Sequence, residues 1–124
     1  IATHLVVIFP SAGVAKEVAS DLGTKLLDDS GWHVYTKMEN LQAKRMPVER
    51  GCPFNCECHG ASDQDYRPGS LPRTDDILSR SMTIGIGVSD KNLGSAWGIG
   101  LRAGEADIQK RAAQFREAAE RYLG

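Results

Sequence analysis

Tyr66-Arg-Pro-Gly-Ser-Leu-Pro-Arg-Thr-Asp-Asp-Ile-Leu-Ser-Arg-Ser-Met-Thr-Ile-Gly-Ile-Gly-Val88 reads as turn, helix and strand in immediate succession. Pro68-Gly69 is a turn dipeptide. Leu71 precedes Pro72 and is held extended, because the proline ring clashes with a helical conformation one residue back. Thr74 is placed to cap a helix, and Asp75 and Asp76 set negative charge at the positive end of its dipole. That helix is expected to run through Ile77 and Leu78 to Ser81. Met82 to Val88 then alternates, with Met82, Ile84, Ile86 and Val88 on one face and Thr83, Gly85 and Gly87 on the other. Two glycines on one face weaken a strand unless another backbone packs closely there. A tight contact is therefore expected at that face, not chemistry.

Working outward, Leu5-Val-Val-Ile-Phe9 is a continuous apolar run that reads as a central strand, stopped by Pro10. Ser11 is placed to cap a helix over 12–29 with Val14, Val18, Leu22 and Leu26 near one face and Gly31 as its stop. Trp32 to Thr36 reads as a second strand, with His33 and Tyr35 on the face opposite Trp32, Val34 and Thr36. Met38 to Met46 is compatible with a helical turn. Residues 47–72 carry Gly, Pro, Asp, Asn and Ser without periodicity and read as a long irregular loop, a length associated with function or disorder. Asp90 to Gly100 reads as a second irregular stretch or a hairpin. Glu105 to Leu123 is a helix with an apolar stripe of Ile108, Ala112, Phe115, Ala119 and Tyr122. The sum is one α+β domain over residues 1–124: a small, mostly antiparallel sheet of three to four strands with helices packed on one face.

The chain has 124 residues, 41% hydrophobic and 25% charged, enough for one modest core. A net charge of −1 gives no electrostatic footprint for nucleic acid or an anionic membrane. The longest apolar run is too short to span a bilayer, and no basic stretch precedes it as in a signal peptide. Three cysteines crowded between residues 52 and 58 do not form a secreted disulfide framework, so a reducing cytoplasm is the expected compartment. A start at Ile1 without methionine is read as either a removed tag or a piece of something longer.

Gly51-Cys-Pro-Phe-Asn-Cys-Glu-Cys-His-Gly60 supplies ligand types suited to zinc: Cys52, Cys56, Cys58 and His59. Their spacing matches no common zinc pair, and adjacent Cys58 and His59 would strain to reach one ion. The run Arg50-Gly-Cys-Pro-Phe-Asn-Cys56 resembles the start of the cluster motif of radical enzymes that use S-adenosylmethionine. Its third cysteine falls one residue early, and the chain is too short for that family's barrel. A redox thiol pair needs a depressed thiol pKa. The bland alternative is a loop whose cysteines act as small hydrophobes. Elsewhere, His33 reads as a packing residue beside Tyr35, and Asp75 and Asp76 diverge from a helix start. Ser79 and Ser95 lack a paired histidine. Gly94 to Gly100 is glycine-rich without the order of a phosphate-binding fingerprint. Tyr66, Arg67 and Arg73 flank the long loop, where they could meet an anionic ligand.

The Tyr66–Val88 block, with Gly31-Trp-His-Val-Tyr35, Met38-Glu-Asn-Leu41, Gly51-Cys-Pro-Phe54 and Asp90 to Ile99, resembles the C-terminal small domain of the DegT family of sugar aminotransferases. Those enzymes have fold type I, use pyridoxal 5′-phosphate (PLP) and are usually homodimers. The resemblance covers nearly all of the chain. It implies a domain without the family's large catalytic half, which supplies the Schiff-base lysine, the carboxylate facing the pyridinium nitrogen and the phosphate cradle. Lys16, Lys25, Lys37, Lys44, Lys91 and Lys110 lie outside anything like the family's lysine motif. No catalytic residue and no cofactor ligand therefore carries over to this chain alone. His33, Tyr35, Asn40, Arg73 and Thr74 are the expected edge of a substrate pocket in the full enzyme, for a small-molecule or sugar ligand.

Three functions follow as expectations. The first is a non-catalytic, truncated or stand-alone aminotransferase-like small domain, serving as a binding or interaction module. The second is a small enzyme or a metal or redox protein built on the cysteine loop. The third is a structural dimerisation module, self-associating through apolar surface exposed where a large domain would sit.

Overall fold

The structure is a computed structural model and describes residues 3–31, 34–46, 54, 65–87 and 97–124. The strand expected over Met82–Val88 forms as Ser81–Gly87 and is the middle of a sheet that has three strands among the described residues. Following chain order, β1 is His4–Ile8, β2 is Ser81–Gly87 and β3 is Gly98–Gly100. β1 runs antiparallel to β2 over five residue pairs, from His4 opposite Gly85 to Ile8 opposite Ser81. β3 runs parallel to β2, with Gly85 opposite Gly98 and Gly87 opposite Gly100.

A close backbone approach does occur at Gly85, but it lies within the β2–β3 pair and the glycine it requires is Gly98, while a Cβ on Gly87 would meet only the Leu101 side chain. A Cβ on Gly98 would stand 2.1 Å from the Gly85 carbonyl oxygen, so only glycine lets these two backbones meet. Gly98–Gly100, the end of the stretch read as irregular or as a hairpin, runs parallel to β2, so β2 and β3 are not the two arms of a hairpin. Val88 and residues 89–96 lie outside the described residues.

The helices are α1 (Ala12–Asp21), α2 (Glu39–Gln42), α3 (Pro72–Ser79) and α4 (Glu105–Leu123). Ser11 is extended at φ −146° and its Oγ accepts the Val14 N–H at 3.3 Å, the expected cap. α1 stops eight residues before the predicted end. Gly23 takes a left-handed φ of +66°, and the chain turns so that Leu26 forms an antiparallel bridge with Met82. Leu22 and Leu26 share a helical phase with Val18, which is why periodicity runs through the break.

The strand expected over Trp32–Thr36 is corrected as well. Tyr35–Lys37 is one turn of 3₁₀ helix, and Trp32 and His33 lie outside the described residues. α2 falls within the turn expected at 38–46. α3 starts at Pro72, whose fixed φ suits the first helical position, so Thr74 sits inside the helix and does not cap it. It ends at Ser79, and Ser81 already belongs to β2.

Met82 and Ile84 turn toward α1 and α4, and with Phe9, Ala15, Val18 and Ala118 they build the core. Met82 and Val18 are fully buried, each contributing roughly 1.5–3 kcal/mol by removal from water. α4 has the predicted bounds, and the Asp107 carboxylate accepts the Gly104 N–H at 3.1 Å at its start. Its core-facing line is buried Ala118 with partly buried Phe115 and Tyr122, while Ala112 and Ile108 of the predicted stripe are exposed. Arg121 and Tyr122 both reach Asp21 of α1, at 2.6 and 3.2 Å, fastening the two helices at their exposed ends.

The largest departure concerns β1. Its sequence reads as a central strand, yet among the described residues it lies at the edge of the sheet, with Leu5, Val6 and Ile8 each about half exposed. Among the described residues no helix is long and apolar enough to cross a membrane.

Candidate functional site

Tyr35 is where the predicted edge residues meet the rest of the fold. The 3₁₀ turn drives its ring inward, and the residue is buried. Its hydroxyl donates to Asp75 Oδ1 at 2.7 Å and lies 3.5 Å from the Arg67 carbonyl oxygen. The other carboxylate oxygen of Asp75 accepts the Gly69 N–H at 3.0 Å. One carboxylate on α3 thus joins the 3₁₀ turn to the Pro68-Gly69 turn. Gly69 has a left-handed φ of +87°, the conformation that turn requires.

Gln42 adds a second tie. Its Nε2 donates to the Tyr35 carbonyl at 2.9 Å and to the Tyr66 carbonyl at 2.5 Å, linking α2 to the same turn. The Tyr66 ring meets the Phe54 ring edge to face, with centroids 6.2 Å apart. Asp65 and Arg67 pair within the turn, and the Arg67 N–H also reaches Asp65 at 2.9 Å. That backbone bond first, and the guanidinium second, hold the Asp65 carboxyl below its usual range. The Asp65–Ser70 turn lines an open depression of about 510 Å³. Ser70 Oγ is buried with no hydrogen-bond partner among the described residues.

Of the predicted edge residues, Tyr35 is tied to α3 through Asp75, which directly follows Arg73 and Thr74 in the chain. Arg73 and Thr74 stand exposed on the first turn of α3, in the residues just before Asp75. Asn40 is exposed on α2, two residues from Gln42. His33 lies outside the described residues, as do Cys52, Cys56, Cys58 and His59. Among the described residues no group of three His, Cys, Asp or Glu side chains could hold a metal ion.

Asp75 and Gln42 are the members that sequence reasoning missed. Asp75 was expected to serve a helix dipole, and nothing local to it signals a tyrosine 40 positions upstream. It does diverge from Asp76 as expected, for Asp76 pairs with Arg80 at 3.0 Å.

Chemically, the cluster is a brace. Both Asp75 oxygens already accept hydrogen bonds, and the Tyr35 proton is committed to one of them. Ser79 Oγ donates to the Asp76 carbonyl one turn back, the bond of a helical serine and not of an activated nucleophile. PLP does not fit the described lysines. Lys16, Lys25, Lys37, Lys44 and Lys110 are all exposed, and Lys37 donates to the Asp28 carbonyl. An internal aldimine needs an enclosed amine beside a phosphate cradle. Lys91 lies outside the described residues.

Comparison with protein-family models, with curated proteins and with solved structures finds no match to this chain.

Proposed function

We propose that the chain is a non-catalytic, aminotransferase-like small domain that lends a rigid polar edge to a ligand site completed by another domain or chain. The observation that carries this reading is the Tyr35–Asp75–Gly69 brace. It fixes the 65–70 turn and the start of α3, leaving Arg73 and Thr74 exposed on a support that does not need to order on binding. A guanidinium and a hydroxyl on a fixed helical turn suit a polyhydroxylated or anionic small molecule, such as a sugar carrying a phosphate. The PLP of the full enzyme would come from the other domain, since the exposed lysines described here give it no enclosed amine.

Incubation with PLP, reduction with borohydride and intact-mass measurement test the reading. The expected result is scattered, non-saturating labelling of surface lysines. Saturable labelling of one lysine at one equivalent, with the absorbance band of a stable internal aldimine, would overturn it.

A further inference from the structure

The outer edge of β1 has a polarity that its hydrogen bonds to β2 fix. The Thr3 carbonyl accepts the Ile86 N–H, and the Phe9 N–H donates to the Arg80 carbonyl, both at 2.8 Å. Residues 3 and 9 therefore turn their peptide groups toward β2, and so do 5 and 7 by alternation. The N–H and C=O groups of His4, Val6 and Ile8 point the other way, off the end of the sheet, where β1 has no strand neighbour among the described residues. Val6 is 50% exposed and Ile8 53%. Soluble proteins blunt such an edge with lysine, proline, a bulge or an inward charge. His4-Leu-Val-Val-Ile8 contains none of them.

We propose that this edge is a contact between two copies of the chain, with β1 pairing antiparallel to its symmetry mate about a two-fold axis at Val6. The occupant follows from the register. With the axis at Val6, His4 meets the partner's Ile8 and Val6 meets the partner's Val6. Every outward-facing residue then meets an outward-facing one, giving about six backbone hydrogen bonds in a self-complementary ladder. The two three-stranded sheets become one of six strands.

Charge permits the match. β1 carries no acidic or basic side chain apart from His4, which faces isoleucine, and a net charge of −1 provides little long-range repulsion. The contact is small beside the roughly 800 Å² per partner of a standard interface. It is therefore expected to form weakly and reversibly. This inference is independent of the aminotransferase reading.

Sedimentation velocity over a concentration series, on the wild-type chain and on Val6→Lys and Val6→Glu, tests it. The wild type is expected to show a reversible monomer–dimer equilibrium. Either variant alone, with like charges opposed at the axis, weakens it at least about tenfold. An equimolar mixture of the two variants regains dimer, because only a register that sets position 6 against itself pairs lysine with glutamate. A wild-type monomer at every concentration overturns the proposal, as does a dimer indifferent to Val6→Lys or a mixture that stays monomeric.

Amide hydrogen exchange on the wild type alone keeps the test independent of variant folding. Raising the concentration should slow the His4, Val6 and Ile8 amides and leave Leu5 and Val7 unchanged. Equal rates at low and high concentration at all five positions would refute the pairing.

Discussion

Replacing Gly98 with alanine probes the contact that holds β3 onto the sheet. The new methyl carbon would stand 2.1 Å from the Gly85 carbonyl oxygen and 2.6 Å from its nitrogen. Both are backbone atoms of the central strand. Gly85 cannot step aside, because it pairs with His4 on one flank and its N–H donates to the Trp97 carbonyl at 2.9 Å on the other. Relief requires β3 to lift away from β2 or Gly98 to change its φ of +154°. Backbone strain at a non-glycine residue costs about 1–3 kcal/mol. Forcing a carbon into filled space costs about another 1–3 kcal/mol. The expected loss is thus about 4 kcal/mol, a large part of the 5–15 kcal/mol that holds a typical domain folded.

Gly100→Ala is the matched control. It lies two residues along the same strand, and a Cβ there meets nothing within 4 Å. Its stability should stay within about 0.5 kcal/mol of wild type. Urea unfolding followed by circular dichroism measures both, and the Gly98→Ala melting temperature should fall by roughly 15 °C. Tryptophan emission supplies a second probe, since buried Trp97 directly precedes the substituted residue. Wild-type stability in Gly98→Ala, or equal losses at the two positions, would refute the β2–β3 register.

Three further outcomes concern the brace and the turn it holds. Tyr35→Phe removes the donor to Asp75 and leaves a carboxylate oxygen to find solvent, at an expected cost of about 1–2 kcal/mol in urea unfolding; no change would mean that the bond contributes nothing net. Asp65 should titrate below the ordinary carboxylate range in a carbon-detected NMR experiment. A depressed folded-state pKa stabilises the fold above the ordinary value, and that contribution is lost as the pH falls through the folded-state one. Arg67→Ala should raise the midpoint only in part, because the larger cause is the residue 67 backbone N–H, which alanine retains. A full return to the ordinary value would assign the shift to the guanidinium instead.

What the sequence disclosed depended on whether the cause was local. The Glu105–Leu123 helix and the alternation of β2 are written in periodicity, and both formed. The glycines of β2 suggested a close backbone approach on their face, whereas the one shown lies within the sheet and depends on Gly98, which nothing in their spacing named. The end of α1 was hidden because Leu26 keeps the helical phase while being buried by a bridge to Met82. The brace was hidden because Tyr35 and Asp75 meet only after the chain has folded back over 40 positions.

β1 differs from these cases. The reading of Leu5-Val-Val-Ile-Phe9 as a strand suited to the middle of a sheet describes its side chains correctly, for apolar residues lie on both of its faces. The fold of one chain nevertheless leaves it at an edge, with Val6 and Ile8 half exposed and their peptide groups turned outward. Composition and position agree again once a second β1 lies against the first, because both strands are then interior to a six-stranded sheet. The mismatch is thus itself a reason to look for the dimer, and Val6, on the proposed axis, is where the charge-reversal test has most leverage.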